Sequence, residues 1–207
     1  MPGPIRILSV DDHPLIRDGI AFALQAHDDM MLVAEATNGL EAIELFERHK
    51  PDVTLMDLQM PAMNGIDAIL SIRRDHPSAK FVVLTTYSGD VQALRAFKAG
   101  AAGYLLKSML RRDLIETIRT VNSGRRRIPP EIAQAMADHV DGDRLSDREI
   151  EVLRSVASGC SNKAVAANLN ITEDTVKSHM KSVLAKLHAN DRTHAVLIAM
   201  KRGFLDA

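Results

Sequence analysis

Between residues 5 and 122 the chain alternates, five times over, between a short apolar run of strand length and a segment whose apolar residues recur at helical spacing. The strand candidates are residues 5–10, 31–35, 53–56, 81–84 and 103–106. Between and after them, 15–26 keeps Ile16, Ile20, Ala23 and Leu24 on one face, 39–49 repeats Leu40, Ile43, Leu45 and Phe46, and 66–74 repeats Ile66, Ile69, Leu70 and Ile72. Residues 91–99 and 113–122 close the series as helices. A run that is apolar at successive positions is buried on both faces, which is how a parallel strand sits between helical layers. Five βα units of this size predict a parallel sheet with helices on both sides.

Right-handed crossovers leave few ways to connect such a sheet, and the flavodoxin-like α/β doubly wound (βα)5 order 2-1-3-4-5 is the expectation. In that fold every strand ends on one edge. Strand one there ends in Asp11-Asp12, strand three in Asp57, strand four in Thr85, and strand five leads into Lys107. Asp57 alone would be read as a strand or helix cap. Three carboxylates brought close repel one another unless a cation sits among them or a pKa rises. An oxygen-only donor set favours a hard ion such as Mg²⁺. A hydroxyl and an ammonium facing the acids suit a phosphoryl group carried on Asp57, since carboxylates accept phosphoryl groups and their transfer is mostly positioning and charge neutralisation.

Two enzyme classes compete for this pattern. Haloacid-dehalogenase-type phosphatases use an Asp nucleophile with a second Asp two residues on, a position that here is Gln59. A nucleotide hydrolase needs a glycine-rich loop ending in Gly-Lys-Ser/Thr, which the sequence lacks.

Asp11-Asp12-His13-Pro14, Leu55-Met56-Asp57-Leu58-Gln59-Met60-Pro61 with Gly65, Leu84-Thr85-Thr86 and Gly103-Tyr104-Leu105-Leu106-Lys107 together resemble the receiver domain of two-component response regulators. The resemblance implies that a histidine kinase phosphorylates Asp57, with Mg²⁺ held by Asp11, Asp12, Asp57 and the backbone carbonyl of Gln59. It implies that Lys107 pairs with the phosphoryl group, that Thr85 moves toward it, and that Tyr104 is an aromatic switch on the output face. Thr85, rather than its neighbour Thr86, is assigned by its 28-residue offset from Asp57 together with the pattern of the family it resembles. Tyr87 reads as a loop aromatic. Lys107 is followed by Ser108 where many receivers have Pro, so a trans peptide is expected there.

Composition sets the surroundings of these motifs. Hydrophobic residues are 46% of the 207 and charged residues 26%, a globular balance, while aromatics are only 3% with no Trp, so Leu, Ile, Val, Ala and Met must fill the core. One cysteine, Cys160, excludes an internal disulfide framework and a Cys-rich zinc site, and reads as a buried or half-buried small residue. No leader-like apolar stretch opens the chain and no membrane-spanning run comes later, so the expected location is cytoplasmic, without a membrane partner. Residues 1–121 carry 13 Lys and Arg against 16 Asp and Glu, whereas 145–207 carry 9 against 7. That asymmetry points to two domains with different partners.

Residues 122–144 read as a connector. Gly124 stops the preceding helix, Arg125-Arg126-Arg127 reads as a solvated linker with contact to DNA or the receiver as the lesser alternative, Pro129-Pro130 cannot continue a helix, and 131–140 forms a short one facing Ile132, Ala135, Met136 and Val140 one way. Residues 141–144 read as a flexible boundary.

In 145–207 the run Ser146-Asp147-Arg148-Glu149 predicts a capping box opening a helix that Gly159 ends. Ser161 caps a short helix over 162–169, Asn170 takes the left-handed turn, Thr172 caps a longer helix, and Asp191 opens the last. In the longer helix Val176, Met180, Val183, Leu184 and Leu187 form the inward stripe, and Lys177, Ser178, Lys181 and Ala185 point outward. Two helices joined by a short turn, the second presenting Lys at i and i+4, is helix-turn-helix geometry. Leu145-Ser146-x-Arg148-Glu149, Gly159-x-Ser161-Asn162-Lys163-x-Val165-Ala166 and Leu169-x-Ile171-Thr172-x-x-Thr175-Val176-Lys177-x-His179 with Leu187 resemble the LuxR-type four-helix DNA-binding domain. That resemblance implies Lys177, Ser178 and Lys181 at base edges of double-stranded DNA, and Asn162, Thr172, Thr175 and Lys186 near phosphates.

Joined in this order, the halves resemble a NarL/FixJ-type response regulator, implying a non-enzymatic transcription regulator: receiver 1–121, linker 122–144, DNA-binding domain 145–207. Phosphorylation is expected to favour a homodimer that spans paired half-sites. The rival reading is a regulator controlled by ligand or protein contacts, with Asp57 vestigial.

Overall fold

The computed structural model describes residues 3–86, 90–138 and 145–205, and beyond the backbone nothing of Asp90 or of 135–138. The expectations for Tyr87, Val140 and 141–144 therefore lie outside the described residues, as do those for the Ala135 and Met136 side chains. The chain divides into two compact units, one built on residues 3–86 and 93–130 and the other on residues 90–92, 131–138 and 145–205.

In the first unit, strands β1 (Ile5–Val10), β2 (Met30–Ala36), β3 (Val53–Asp57), β4 (Phe81–Thr85) and β5 (Gly103–Leu106) form one sheet in the order β2-β1-β3-β4-β5. All four pairings are parallel, as the alternating pattern predicts. Every residue of β3 and β4 is buried, because helices cover both faces of the central strands. Those helices are α1 (Pro14–Gln25), α2 (Gly39–His49), α3 (Gly65–Asp75), α4 (Asp90–Ala99) and α5 (Leu110–Asn122). The α1 stripe turns Ile20 and Leu24 inward, and α5 turns Leu114, Ile118 and Val121 into the same apolar cluster. Asn38 and Asn64 cap α2 and α3, each side chain accepting backbone N–H bonds from the first turn.

Two departures concern the surroundings of β5. Lys107–Met109 form a 3₁₀ turn and α5 starts at Leu110, three residues before the expected start; no side chain caps either end, so nothing local marked the boundary. Arg127, expected in solvent, instead bridges Gly103: its N–H donates to Ala102 O at 3.0 Å and its carbonyl accepts from Tyr104 N at 3.0 Å. No cis peptide occurs among the described residues, in keeping with Ser108 after Lys107.

Helix α6 (Pro130–Asp138) comes next, with Pro130 at its first position, where a missing N–H costs nothing. The second unit then stacks α7 (Asp147–Ala157), α8 (Asn162–Leu169), α9 (Glu173–Lys186) and α10 (Arg192–Arg202). Val152, Leu153, Val165, Val176, Val183, Ala195 and Ala199 are fully buried at its centre. The capping box at Ser146 and Glu149 forms in both directions, and Asn170 ends α8 in the left-handed region at φ 52°.

Candidate functional site

The acids meet at the carboxyl edge of the first unit. Val10 pairs with Met56 and Asp57 with Leu84, so Asp11 and Asp57 leave neighbouring parallel strands at one level. Asp11 is fully buried and Asp57 nearly so, while the Asp12 side chain keeps 31% of its surface in solvent. Lys107, delivered by the turn after β5, donates to Asp57 Oδ2 at 2.7 Å and sits 2.8 Å from Asp11 Oδ2. One ammonium thus faces two buried carboxylates.

Burial pushes the Asp57 carboxyl above the ordinary range; hydrogen bonding and charge from Lys107 oppose that, and the Asp11 charge adds to it. Burial alone would pull the Lys107 ammonium down, yet the Asp11 and Asp57 carboxylates beside it outweigh that and raise it. The charged form of Lys107 is thereby favoured, and the Asp57 carboxyl is poorly solvated.

The loop after β3 has its own geometry. Gln59 N donates to Asp57 Oδ1 at 3.3 Å, and Gly65 N donates to Leu58 O at 3.1 Å. A Cβ on residue 65 would fall 2.0 Å from the Asp57 carbonyl oxygen, so α3 can start against the strand end only with glycine there. This accounts for Gly65 within the motif. At the end of β1, Arg17 donates to Asp11 O at 2.7 Å, an anchor the sequence did not signal.

Thr85 is buried and Thr86 exposed, which separates the two adjacent threonines. Tyr104 has no solvent exposure, is hydrogen-bonded with Thr85, and stacks obliquely 6.0 Å from Phe97 of α4. Burial raises its phenol well above the ordinary range, with the Thr85 bond opposing. The expected switch aromatic is thus in contact with the expected switch hydroxyl.

The donor set of Asp11, Asp12 and Asp57 suits a hard dication. One ligand atom from each of these acids and from His13 lies within 4.8 Å of the others, and the buried Asp12 Oδ1 accepts no hydrogen bond.

In the second unit α9 turns Val176, Met180 and Val183 inward and leaves Lys177, Ser178 and Lys181 exposed, matching the expected stripes. Lys177 meets Asp174 at 2.9 Å, an exposed pair of small worth. Thr172 caps α9, accepting from Thr175 N at 3.1 Å, and the two threonine hydroxyls lie 2.8 Å apart. Asn162 is half-exposed at the start of α8. Lys186, expected near a phosphate, donates to Glu149 Oε2 at 2.8 Å. Glu149 also accepts from Ser182 Oγ at 2.6 Å and Ser146 N at 2.6 Å. Its cap was legible in the sequence; its ties to α9, 33 and 37 residues away, were not. Arg148 reaches the last carbonyl of α8 at Leu169, 2.7 Å.

Residues 7–119 match the family described as response regulator receiver domain, and residues 143–199 the bacterial regulatory proteins of the luxR family. The transcriptional regulatory protein LnrK of Bacillus subtilis is 35% identical, over 96% of this chain and 98% of its own. The crystal structure of ChrA, the response regulator of a heme-sensing two-component system, is 35% identical with a TM-score of 0.58, covering 99% of this chain and 100% of that one. The structure of the RcsB response regulator in complex with DNA is 25% identical with a TM-score of 0.71, over 96% of this chain and 99% of that one.

Proposed function

Because the chain belongs to the two-component response regulators that join a receiver domain to a LuxR-type DNA-binding domain, we propose that it is a transcription regulator switched by phosphorylation of Asp57 by a histidine kinase. The observation that carries this is the Lys107 ammonium held between Asp57 and Asp11 at 2.7 and 2.8 Å. It sits where a phosphoryl group on Asp57 would place its oxygens.

Attack by an Asp57 oxygen on the phosphorus of a phosphohistidine forms the acyl phosphate, and the P–N bond breaks with its electrons going to the imidazole. Burial strips water from the nucleophile, and the backbone N–H of Gln59 orients it. Asp11, Asp12, Asp57 and the Gln59 carbonyl would hold Mg²⁺, which when bound neutralises charge on the phosphoryl oxygens. The product adds roughly −1.5 to −2 charges at this edge. Lys107 then exchanges its Asp57 contact for the phosphoryl group, and Thr85 turns toward it, giving up its bond to Tyr104. We take residues 1–121 as receiver, 122–144 as connector and 145–207 as the DNA-binding domain. Lys177, Ser178 and Lys181 would read bases, with Asn162, Thr172 and Thr175 at phosphates; the similar RcsB response regulator has been solved in complex with DNA. Lys186 would reach a phosphate only by leaving Glu149.

The output is a dimer on paired half-sites in the cytoplasm; autodephosphorylation is slow, and the protein is not a dedicated enzyme. Moving such a switch from 1:99 to 99:1 takes about 5.5 kcal/mol of differential stabilisation, within reach of a few charge-assisted hydrogen bonds and a dimer contact. The test is a small phosphodonor with Mg²⁺. The wild-type chain should take up one phosphoryl group and bind its promoter more tightly, and Asp57→Asn should do neither. Labelling of Asp57→Asn, or an undiminished DNA response from it, would overturn the proposal.

A further inference from the structure

His13 stands at the acid cluster with nothing in the phosphorylation scheme for it to do. Its Nδ1 lies 2.7 Å from Asp12 Oδ1 and 3.3 Å from Asp11 Oδ1. Adjacent corners of an octahedron with arms of roughly 2.1 Å are about 3 Å apart, so the imidazole nitrogen and the two oxygens already have the spacing of neighbouring ligands. Its backbone is fixed, because His13 N donates to Asp11 Oδ1 at 3.0 Å, while the ring is 64% exposed and has room to turn.

The cluster also shows unmet demand for a cation. The buried Asp12 Oδ1 accepts no hydrogen bond. Nor does Asp11 Oδ2, on a fully buried side chain, accept a directed one, although the Lys107 charge lies 2.8 Å away. Asp11, Asp12, His13 and Asp57 bring one candidate ligand atom each within 4.8 Å.

We infer that His13 is an inner-sphere ligand of the receiver's dication, and that this nitrogen tunes the site toward first-row ions such as Mn²⁺ over Mg²⁺. Oxygen-only sites suit Mg²⁺, whereas imidazole raises affinity for first-row transition ions. The inference rests on the acidic metal site proposed above and adds a fourth side chain to it. Loading of Asp57 then depends on the supply of a Mn²⁺-class ion at concentrations where Mg²⁺ leaves the site partly empty.

The test uses the full chain and Mn²⁺ alone. Electron paramagnetic resonance counts free Mn²⁺, and its pulsed form detects a coordinated ¹⁴N; competition gives the Mg²⁺ affinity. The wild type should show ¹⁴N coupling, and His13→Ala should lose it. The same variant should weaken Mn²⁺ binding by about tenfold, and weaken Mg²⁺ binding much less. His13 makes no side-chain cap bond to α1, so the substitution spares the helix start. Absence of ¹⁴N coupling in the wild type, its survival in His13→Ala, or equal losses for both ions would overturn the inference while leaving the acidic site intact. Asp12→Asn separates the two levels. It should abolish tight Mn²⁺ binding; unchanged binding would remove the acidic site itself, and this inference with it.

Discussion

Three donors converge on the Glu149 carboxylate: Ser146 N closes the capping box, while Ser182 Oγ and Lys186 Nζ come from α9. Burial alone would raise this group, yet the bonds from Lys186, Ser182 and Ser146 outweigh it and bring the pKa down to about 2 from the ordinary 4.5. The folded-state value lies below the unfolded one, so folding favours the ionised carboxylate. The stabilisation is therefore whole above about pH 4.5 and is lost as pH falls toward 2. Glu149→Ala leaves Lys186 without its buried partner and removes half the capping box, and should cost about 3 kcal/mol. Thermal unfolding of the two proteins at pH 7 measures it. The difference should shrink between pH 4.5 and 2, and a cost independent of pH over that span would refute the assignment. Lys177 and Lys181 point outward on α9 while Lys186 is held by Glu149; helical spacing alone does not distinguish them, because the distinction lies on α7.

At the scale of elements, β5 shows how a short stretch outside any expected strand is drawn into the sheet. β5 is the edge strand, and the Tyr104 N–H on its open side needs an acceptor. Arg127 supplies one and returns its own N–H to Ala102, while its guanidinium pairs with Glu116 of α5 at 2.5 Å. The backbone bonds, not the charge, are what hold the segment. Arg127→Pro deletes the donor to Ala102 and should cost about 1–3 kcal/mol, whereas Arg127→Ala loses only a largely exposed ion pair worth under about 1 kcal/mol. Hydrogen exchange at the Tyr104 amide should quicken in the proline variant and change little in the alanine one. Equal effects would place the stabilisation in the side chain instead. The elements themselves were largely legible: β1, α2, β5 and α8 have their expected bounds, and most others differ by a residue at one or both ends, because periodicity and caps are local properties. Arg127 was not legible, because an isolated bridge of one residue has no period.

At the scale of the molecule, the front acids and the rear basic helix form one switch only if DNA affinity depends on both. Among the described residues no helix is long and apolar enough to cross a membrane. Lys181→Ala should weaken binding to the preferred site by about 1–3 kcal/mol more than binding to random duplex, as a base contact does. Equal losses, with the salt slope reduced by about one, would make it a phosphate contact. A gel-shift or fluorescence titration at two salt concentrations distinguishes them.

By itself the amino-acid sequence determined the alternation of strands and helices, the order of the sheet, the helix caps, and which acids would reach one edge. Each of these comes from periodicity, capping chemistry and the handedness of crossovers, which act within a few tens of residues. Only the tertiary structure decided which charged groups meet, Lys107 between Asp57 and Asp11, Lys186 on Glu149 and His13 against Asp12, and that the Arg127 backbone bridges β5. Those partners, apart from the adjacent His13 and Asp12, lie far apart along the chain. A Coulomb contact depends on distance and burial, and packing sets both.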